Sequence, residues 1–142
     1  MSKGKTLERT INKLLKMYKK QGIFALRIHE HRIASGAIIE KSPFDYIVFR
    51  NGEMYGFDAK ETNDPAINIK SMLKLHQIDA MNEIRINGGK GFFLVYFKTQ
   101  KVVSILPVEI VLEKIAENKK SIKPEEGIII PGLDFLKHWK SK

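Results

Sequence analysis

Asp45, Asp58 and Lys60 carry the most chemistry in this sequence. Two runs, Phe44–Arg50 and Glu53–Lys60, are separated only by Asn51-Gly52. Asn-Gly between two such runs is the strongest short-range hairpin signal, because a type I′ turn needs φ > 0 at both central residues. A two-residue loop there pairs Arg50 with Glu53, Phe49 with Met54, Ile47 with Gly56 and Asp45 with Asp58. Strand side chains alternate between faces. Asp45 and Asp58 are therefore expected opposite each other on one face, with Lys60 beside them. Phe57, Ala59, Tyr46 and Phe44 are expected on the other face.

Like charges directly opposite on neighbouring strands are destabilising, so something must compensate. A divalent cation between the carboxylates is the simplest answer. Two carboxylates hold Mg²⁺ through oxygen. Such a metal generates a hydroxide and offsets charge on a phosphate, and a lysine beside it orients water or stabilises the developing charge. Gly56 is expected to leave the same face open to a ligand. Against this stands a solvated surface hairpin, because a lone Asp-x-Lys is common and a bulge would shift the register.

The elements that position these residues follow from periodicity. Lys5 to Lys20 reads as a helix, with Leu7, Ile11, Leu14, Leu15 and Tyr18 at helical spacing. Thr6 is its expected N-cap and Gly22 its stop. Ile23 to Ile33 reads as extended, Ala34 to Ser42 as a flexible connection around Gly36, and Thr62 to Ile69 as a loop. Lys70 to Ile86 reads as a second helix, ended by Asn87-Gly88-Gly89-Lys90-Gly91. Phe92–Phe97 is continuously apolar, which suits a strand buried on both faces. Val102–Leu106 is a further strand, Pro107 opens a helix to about Asn118, and Ile128–Ile130 is a short edge strand. The order predicts one mixed α/β domain over residues 1–142, with helices packed on a central sheet.

Within the second helix, Leu73, Ala80, Met81 and Ile84 form one stripe with Gln77 in its middle. Buried amides need partners. Here the partner is a backbone group, a metal-bound water or the metal itself. Glu8 sits at the edge of the first helix's stripe. It is either an acid favoured by the helix dipole or an extra catalytic carboxylate.

Composition narrows the partners. The 142 residues hold 25 Lys and Arg against 16 Asp and Glu, a formal charge of +9. That excess favours a polyanion, above all nucleic acid. Lys70, Lys74, His76 and Lys90 are the candidate DNA contacts. There are no cysteines, so any metal is held by carboxylate, amide, imidazole or backbone groups. The start of the chain lacks a signal-peptide core and no apolar run is long enough for a bilayer, which points to the cytoplasm and away from membranes.

The stretches Ser42-Pro43-Phe44-Asp45, Gly56-Phe57-Asp58-Ala59-Lys60-Glu61-Thr62 and His76-Gln77 resemble the RecU family of Holliday-junction resolvases, within the PD-(D/E)xK nuclease superfamily. Thr6-Leu7-Glu8 with Ile11-Asn12, and Leu106-Pro107, are similar too, so the likeness spans most of the chain. The resemblance implies a restriction-endonuclease-like mixed central sheet flanked by helices. It also implies a homodimer that cuts four-way DNA junctions by two symmetric nicks, using Mg²⁺ or Mn²⁺. By resemblance Asp45 and Asp58 are metal carboxylates, Lys60 the transition-state lysine, Gln77 a further metal ligand and Glu8 the N-terminal helix acid. Three features depart from the family pattern. Asp58 stands where the family often has Glu, Pro43 where it usually has Thr, and the short Ile33–Ser42 segment implies a reduced or missing stalk.

Weaker signals have plainer readings. The Asn87–Gly91 run is expected to be a helix-to-strand turn before a phosphate cradle, since it lacks P-loop spacing. His29 and His31 are expected to be solvated or DNA-facing, and the His138–Lys142 tail either contacts nucleic acid or frays. Two other functions remain open: a nuclease of the same fold acting on duplex or repair substrates, and a basic binding protein without catalysis. The facing acids argue against the latter, since a pure binder gains nothing from groups that repel phosphate.

Overall fold

The structure is a computed structural model that describes residues 5–28, 31–32, 38–40 and 44–139. Helix α1 (Lys5–Lys20) buries Leu7, Ile11, Leu14, Leu15 and Tyr18 on one face and exposes Lys13's neighbours Lys16, Lys19 and Lys20 on the other. Thr6 is inside this helix rather than capping it, and its carbonyl accepts the Thr10 hydroxyl at 2.9 Å. The helix stops where expected, at Gly22, whose φ of 82° suits a residue without a Cβ.

Strands β1 (Phe24–Arg27), β4 (Tyr46–Arg50), β5 (Glu53–Thr62), β7 (Lys90–Phe97), β8 (Val102–Pro107) and β10 (Ile128–Ile130) form one sheet, in the order β1-β4-β5-β7-β8-β10. Only β5 and β7 pair in parallel. Parallel neighbours need a crossover. It is made by α2 (Ile69–Met72) and α3 (Leu75–Ile86). Helix α4 (Val108–Ala116) follows β8. Two short ladders flank the sheet: β2 (His31–Arg32) with β3 (Ile38–Glu40), and β6 (Ile67–Asn68) with β9 (Ser121–Ile122).

The hairpin has the expected register, from Arg50↔Glu53 to Tyr46↔Phe57. Asn51 (φ 50°) and Gly52 (φ 79°) both adopt the left-handed conformation that the turn demands. Period two then divides the core. Tyr46, Val48, Tyr55 and Phe57 pack beneath α1, together with Phe92 and Leu94. Phe93 and Val95 pack on the other face, against Ile78 and Met81 of α3 and Val108 and Val111 of α4. Strand β7 is thus buried on both sides, as its uninterrupted apolar run requires.

Five further expectations are corrected. Phe44 lies on the α3 face, because it precedes the first paired residue of β4 and strand alternation does not reach it. Gly56 is packed, not open: a Cβ there would meet Phe44 Cζ at 2.9 Å and the end of Ile84. The second helix is split, with Leu73 and Lys74 extended. The Ile69 N–H is held by the Lys120 carbonyl at 3.0 Å, so the first turn follows the β6–β9 ladder while α3 follows the sheet. The segment expected to be a flexible connection contains β3, and the loop after Thr62 contains β6.

The tail through Trp139 is docked, not frayed. The Trp139 ring lies 4.9 Å from Phe92 and 5.7 Å from Tyr55, and its carbonyl accepts a hydrogen bond from Arg50. Phe135 is fully buried among Tyr18, Phe57 and Phe92. Aromatic burial of this size offsets the cost of ordering a terminus.

Candidate active site

Asp58 sits in the middle of β5, on the face covered by α3, and only 2 % of its surface is exposed. Its register partner Phe93 in β7, and the Tyr46↔Phe57 pair one residue before it, fix it within the sheet. Lys60, two residues on, reaches back so that its Nζ lies 3.0 Å from Asp58 Oδ2. Asp45 is the last residue before β4, and its carbonyl accepts the Ile28 N–H at 2.7 Å, which ties it to the end of β1. That anchor brings the Asp45 carboxyl within hydrogen-bonding reach of Asp58. The two acids meet as the hairpin register requires.

The pair is electrostatically strained. Burial, then the hydrogen bond and charge of Asp58, push the Asp45 carboxyl up from the usual 3.8 to about 7. Lys60 and Arg27 pull the other way without cancelling this. A low-dielectric setting with two adjacent carboxyls disfavours double ionisation. The pair therefore either shares a proton or takes a cation.

Helix packing sets the height of Gln77 along the sheet. A Cβ on Gly91 would lie 2.7 Å from the Met81 backbone, so α3 rests directly on β7 there. The helix runs opposite to β5 and β7, because its C-terminus feeds straight into β7. One turn before Met81 is about 6 Å along the axis, or roughly two strand residues. That sets Gln77 at the height of Phe93 and its partner Asp58. Gln77 is 7 % exposed, and no backbone group satisfies its Oε1. Asp58 Oδ1 is likewise buried without a hydrogen-bond partner. Unpaired buried acceptors are costly, and both atoms are hard oxygen donors of the kind that could hold a cation. Among the described residues no three His, Asp or Glu side chains converge tightly enough to hold a metal by themselves. The oxygen set on offer is two carboxylates, one amide and solvent, which fits the hard, partly hydrated cation Mg²⁺.

Glu8 lies in the first turn of α1 and pairs with Arg27 of β1, so it is held by a cation rather than by the helix dipole alone. Both line a cavity of about 120 Å³ with Leu7, Asp45, Tyr46, Ala59 and Glu61. Burial raises the Tyr46 hydroxyl to about 12, so it stays protonated in that cavity. Asp45 thus interacts with Asp58 and lines the same cavity as Glu8.

Arg27 and Glu61 escaped the sequence reading. Glu61 is bound to Lys98 at 3.0 Å with its side chain 5 % exposed and Oε2 unpartnered. Its signal was its position directly after Lys60, in a strand that leaves little room for solvated acids. Arg27 looked like an ordinary polar residue of an alternating strand. Lys70, Lys74 and His76 gather around the start of α3, whereas Lys90 lies at the far end of β7, paired with Tyr55. The structure does not bring Lys90 to the other three. Asn87–Gly91 is the helix-to-strand turn expected, with Gly88 at φ 93°. Pro43 and His29 lie outside the described residues, as does the His31 side chain.

Comparison with known proteins places the fold and the family. The fold is the restriction-endonuclease-like mixed α/β arrangement. It matches the Hjc Holliday junction resolvase of Archaeoglobus fulgidus with a TM-score of 0.54 and 15 % identity, over 86 % of this chain and 94 % of that one. The Holliday junction resolvase RecU of Ureaplasma parvum is 26 % identical over 148 residues, spanning 92 % of this chain and 86 % of its own length. The RecU of Oenococcus oeni is 29 % identical over 119 residues, with 74 % and 60 % covered. That of Streptococcus gordonii is 26 % identical over 161 residues, with 95 % and 80 % covered. The family model for Recombination protein U matches residues 2–128, and the chain belongs to the RecU family.

Proposed function

We propose that this protein is a Mg²⁺-dependent DNA endonuclease that resolves four-way junctions by paired nicks. The observation that carries it is the meeting of Asp45 and Asp58 beside Lys60, with Asp58 Oδ1 and Gln77 Oε1 buried and unsatisfied. The names of the RecU relatives support the substrate. The excess of cations supports a polyanionic partner.

Asp45, Asp58 and Gln77 would hold the metal. Mn²⁺ suits the same oxygen donors. When bound, the metal supplies a hydroxide at neutral pH and offsets phosphate charge. Asp45 would join this donor set in its ionised form, which a cation's charge would favour. Asp58, fixed in the sheet, sets the position of the donor set with little reorganisation. Lys60 stands next to the carboxylates, where its ammonium stabilises the charge that builds on a pentacoordinate phosphate. Glu8, held by Arg27, would offer a further carboxylate in the cavity that Asp45 lines, to orient water. Lys70, Lys74 and His76 meet the DNA backbone near the start of α3.

Two symmetric nicks need two centres related by a dyad, so the active species is a C₂ homodimer. Among the described residues no helix is long and apolar enough to cross a membrane, and the proposed location is the cytoplasm, with the DNA. The test is nicking of an immobile four-way junction in Mg²⁺, with product ends mapped on both strands. Paired nicks at symmetric positions are expected, and a linear duplex built from the same arms should be cut far more slowly. Equal cutting of both would reassign the protein to a duplex nuclease. No cutting in any divalent metal would reject the reading.

A further inference from the structure

Beyond the carboxylates, two hollows of about 480 Å³ each share Ile69, Lys70 and Ile115, and so form one groove along α2, α3 and the end of α4. Lys70, Lys74, Lys119 and Lys120 rim it, all exposed and none ion-paired among the described residues. The floor is apolar. Ile69 and Leu73 are buried there, and Leu75 and Ile115 stand 70 % and 40 % exposed.

The walls are preset. The Ile69 N–H donates to the Lys120 carbonyl, and the β6–β9 ladder pairs Ile67 with Ile122 and Asn68 with Ser121. The lysines are therefore carried on joined backbone and keep their spacing. Four unpaired ammonium groups along one rigid groove repel each other and match a polyanion with regularly spaced charge. The groove also opens at the start of α3, the helix whose first turn carries the buried Gln77. Two exposed aliphatic side chains are too little apolar surface for a lipid bilayer, which needs a whole helix face.

We propose that this groove extends the DNA-contact surface at the start of α3, seating the phosphate backbone of a junction arm that continues past the active centre, with Leu75 and Ile115 against its sugar edges. The proposal rests on DNA being the substrate, and goes beyond it by assigning Lys119, Lys120, Leu75 and Ile115. Lys119 and Lys120 touch no catalytic group, and their side chains are exposed, so Lys119→Ala/Lys120→Ala should fold normally by circular dichroism.

The experiment titrates a labelled four-way junction in EDTA across a range of salt, then measures single-turnover cleavage in Mg²⁺ at saturating enzyme. Each phosphate contact contributes about 0.9 to the slope of log K against log salt. The double variant should lower that slope by about 1.8 and weaken low-salt binding on the order of ten-fold. Its cleavage rate at saturation should equal the wild-type rate. Leu75→Ala should weaken binding about three-fold with the slope unchanged, the mark of an apolar contact. Wild-type affinity and slope in the double variant would overturn the proposal. So would intact DNA binding with lost affinity for anionic lipid vesicles. Asp58→Ala serves as the contrast, losing cleavage while keeping the slope. If the wild type cuts no DNA, the nuclease reading fails, and the slope comparison still decides the groove.

Discussion

Replacing Asp45 by Asn should stabilise the metal-free protein while destroying its activity. The reason is the acid pair. In the folded chain the Asp45 carboxyl is raised from 3.8 to about 7, first by burial and then by Asp58. A group whose folded pKa lies above its unfolded value favours folding when protonated. Its stabilising contribution is full below about pH 4 and is lost as pH rises toward 7. At pH 8 both states are ionised and the whole penalty is present. About three units at 1.36 kcal/mol each set a ceiling near 4 kcal/mol. Asp45 is only half-buried, so solvent screening brings the expected penalty to about 1–2 kcal/mol. Asn keeps the shape and removes the charge. For a chain of this size that gain raises Tm by roughly 3–6 °C.

The assay is thermal unfolding of wild type and Asp45→Asn in EDTA at pH 8 and pH 5, repeated with Mg²⁺. The variant should be the more stable at pH 8 without metal, with less than half of the gain surviving at pH 5. Mg²⁺ should raise the wild-type Tm and leave the variant where it was. A variant that melts at or below the wild-type temperature at pH 8 in EDTA would refute the reasoning, as would a gain that does not change with pH.

Three further outcomes follow from the same geometry. Asp58→Ala and Lys60→Ala should each lower junction cleavage by roughly 10³-fold while junction binding in EDTA is kept; cleavage surviving in a clean Asp58→Ala preparation would reject the assignment. Mg²⁺ affinity by calorimetry should rise about ten-fold per pH unit below 7 and level off above it, because the cation displaces the Asp45 proton; a flat profile from pH 5.5 to 7 would contradict this. Gly91→Ala should cost about 1–3 kcal/mol, since its Cβ would press on the Met81 backbone. The same change lifts α3 and Gln77 off β5, so cleavage should fall even well below the melting temperature, and an unchanged rate would show that Gln77 is not part of the centre.

Local signals settled a good deal here. Asn51-Gly52 admits one favoured turn, so the register of β4 and β5, and with it the meeting of Asp45 and Asp58, could be read from residue numbers. The unbroken apolar run of β7 announced a strand with helices on both faces, and the period of α1 gave its buried side. These features rest on backbone sterics and on period, which act within a few residues. What depended on neighbours distant in the chain was not legible. Gly56 looked like space for a ligand, and only the packing of Ile84 from α3 and of Phe44 from the lead-in to β4 filled it. The first turn of the broken helix is anchored at Ile69 by a hydrogen bond to Lys120, some fifty residues away in the chain, a partner that local periodicity does not announce. Glu61 and Arg27 gained meaning only when Lys98 and Glu8 came alongside, because an ion pair has no periodic signature in sequence. The tail became part of the core because Tyr55 and Phe92 offered it aromatic surface. The sequence by itself determined which acids would face each other; the tertiary structure decided how deeply they are buried and which oxygens are left without partners, because burial is a property of everything that packs around a residue.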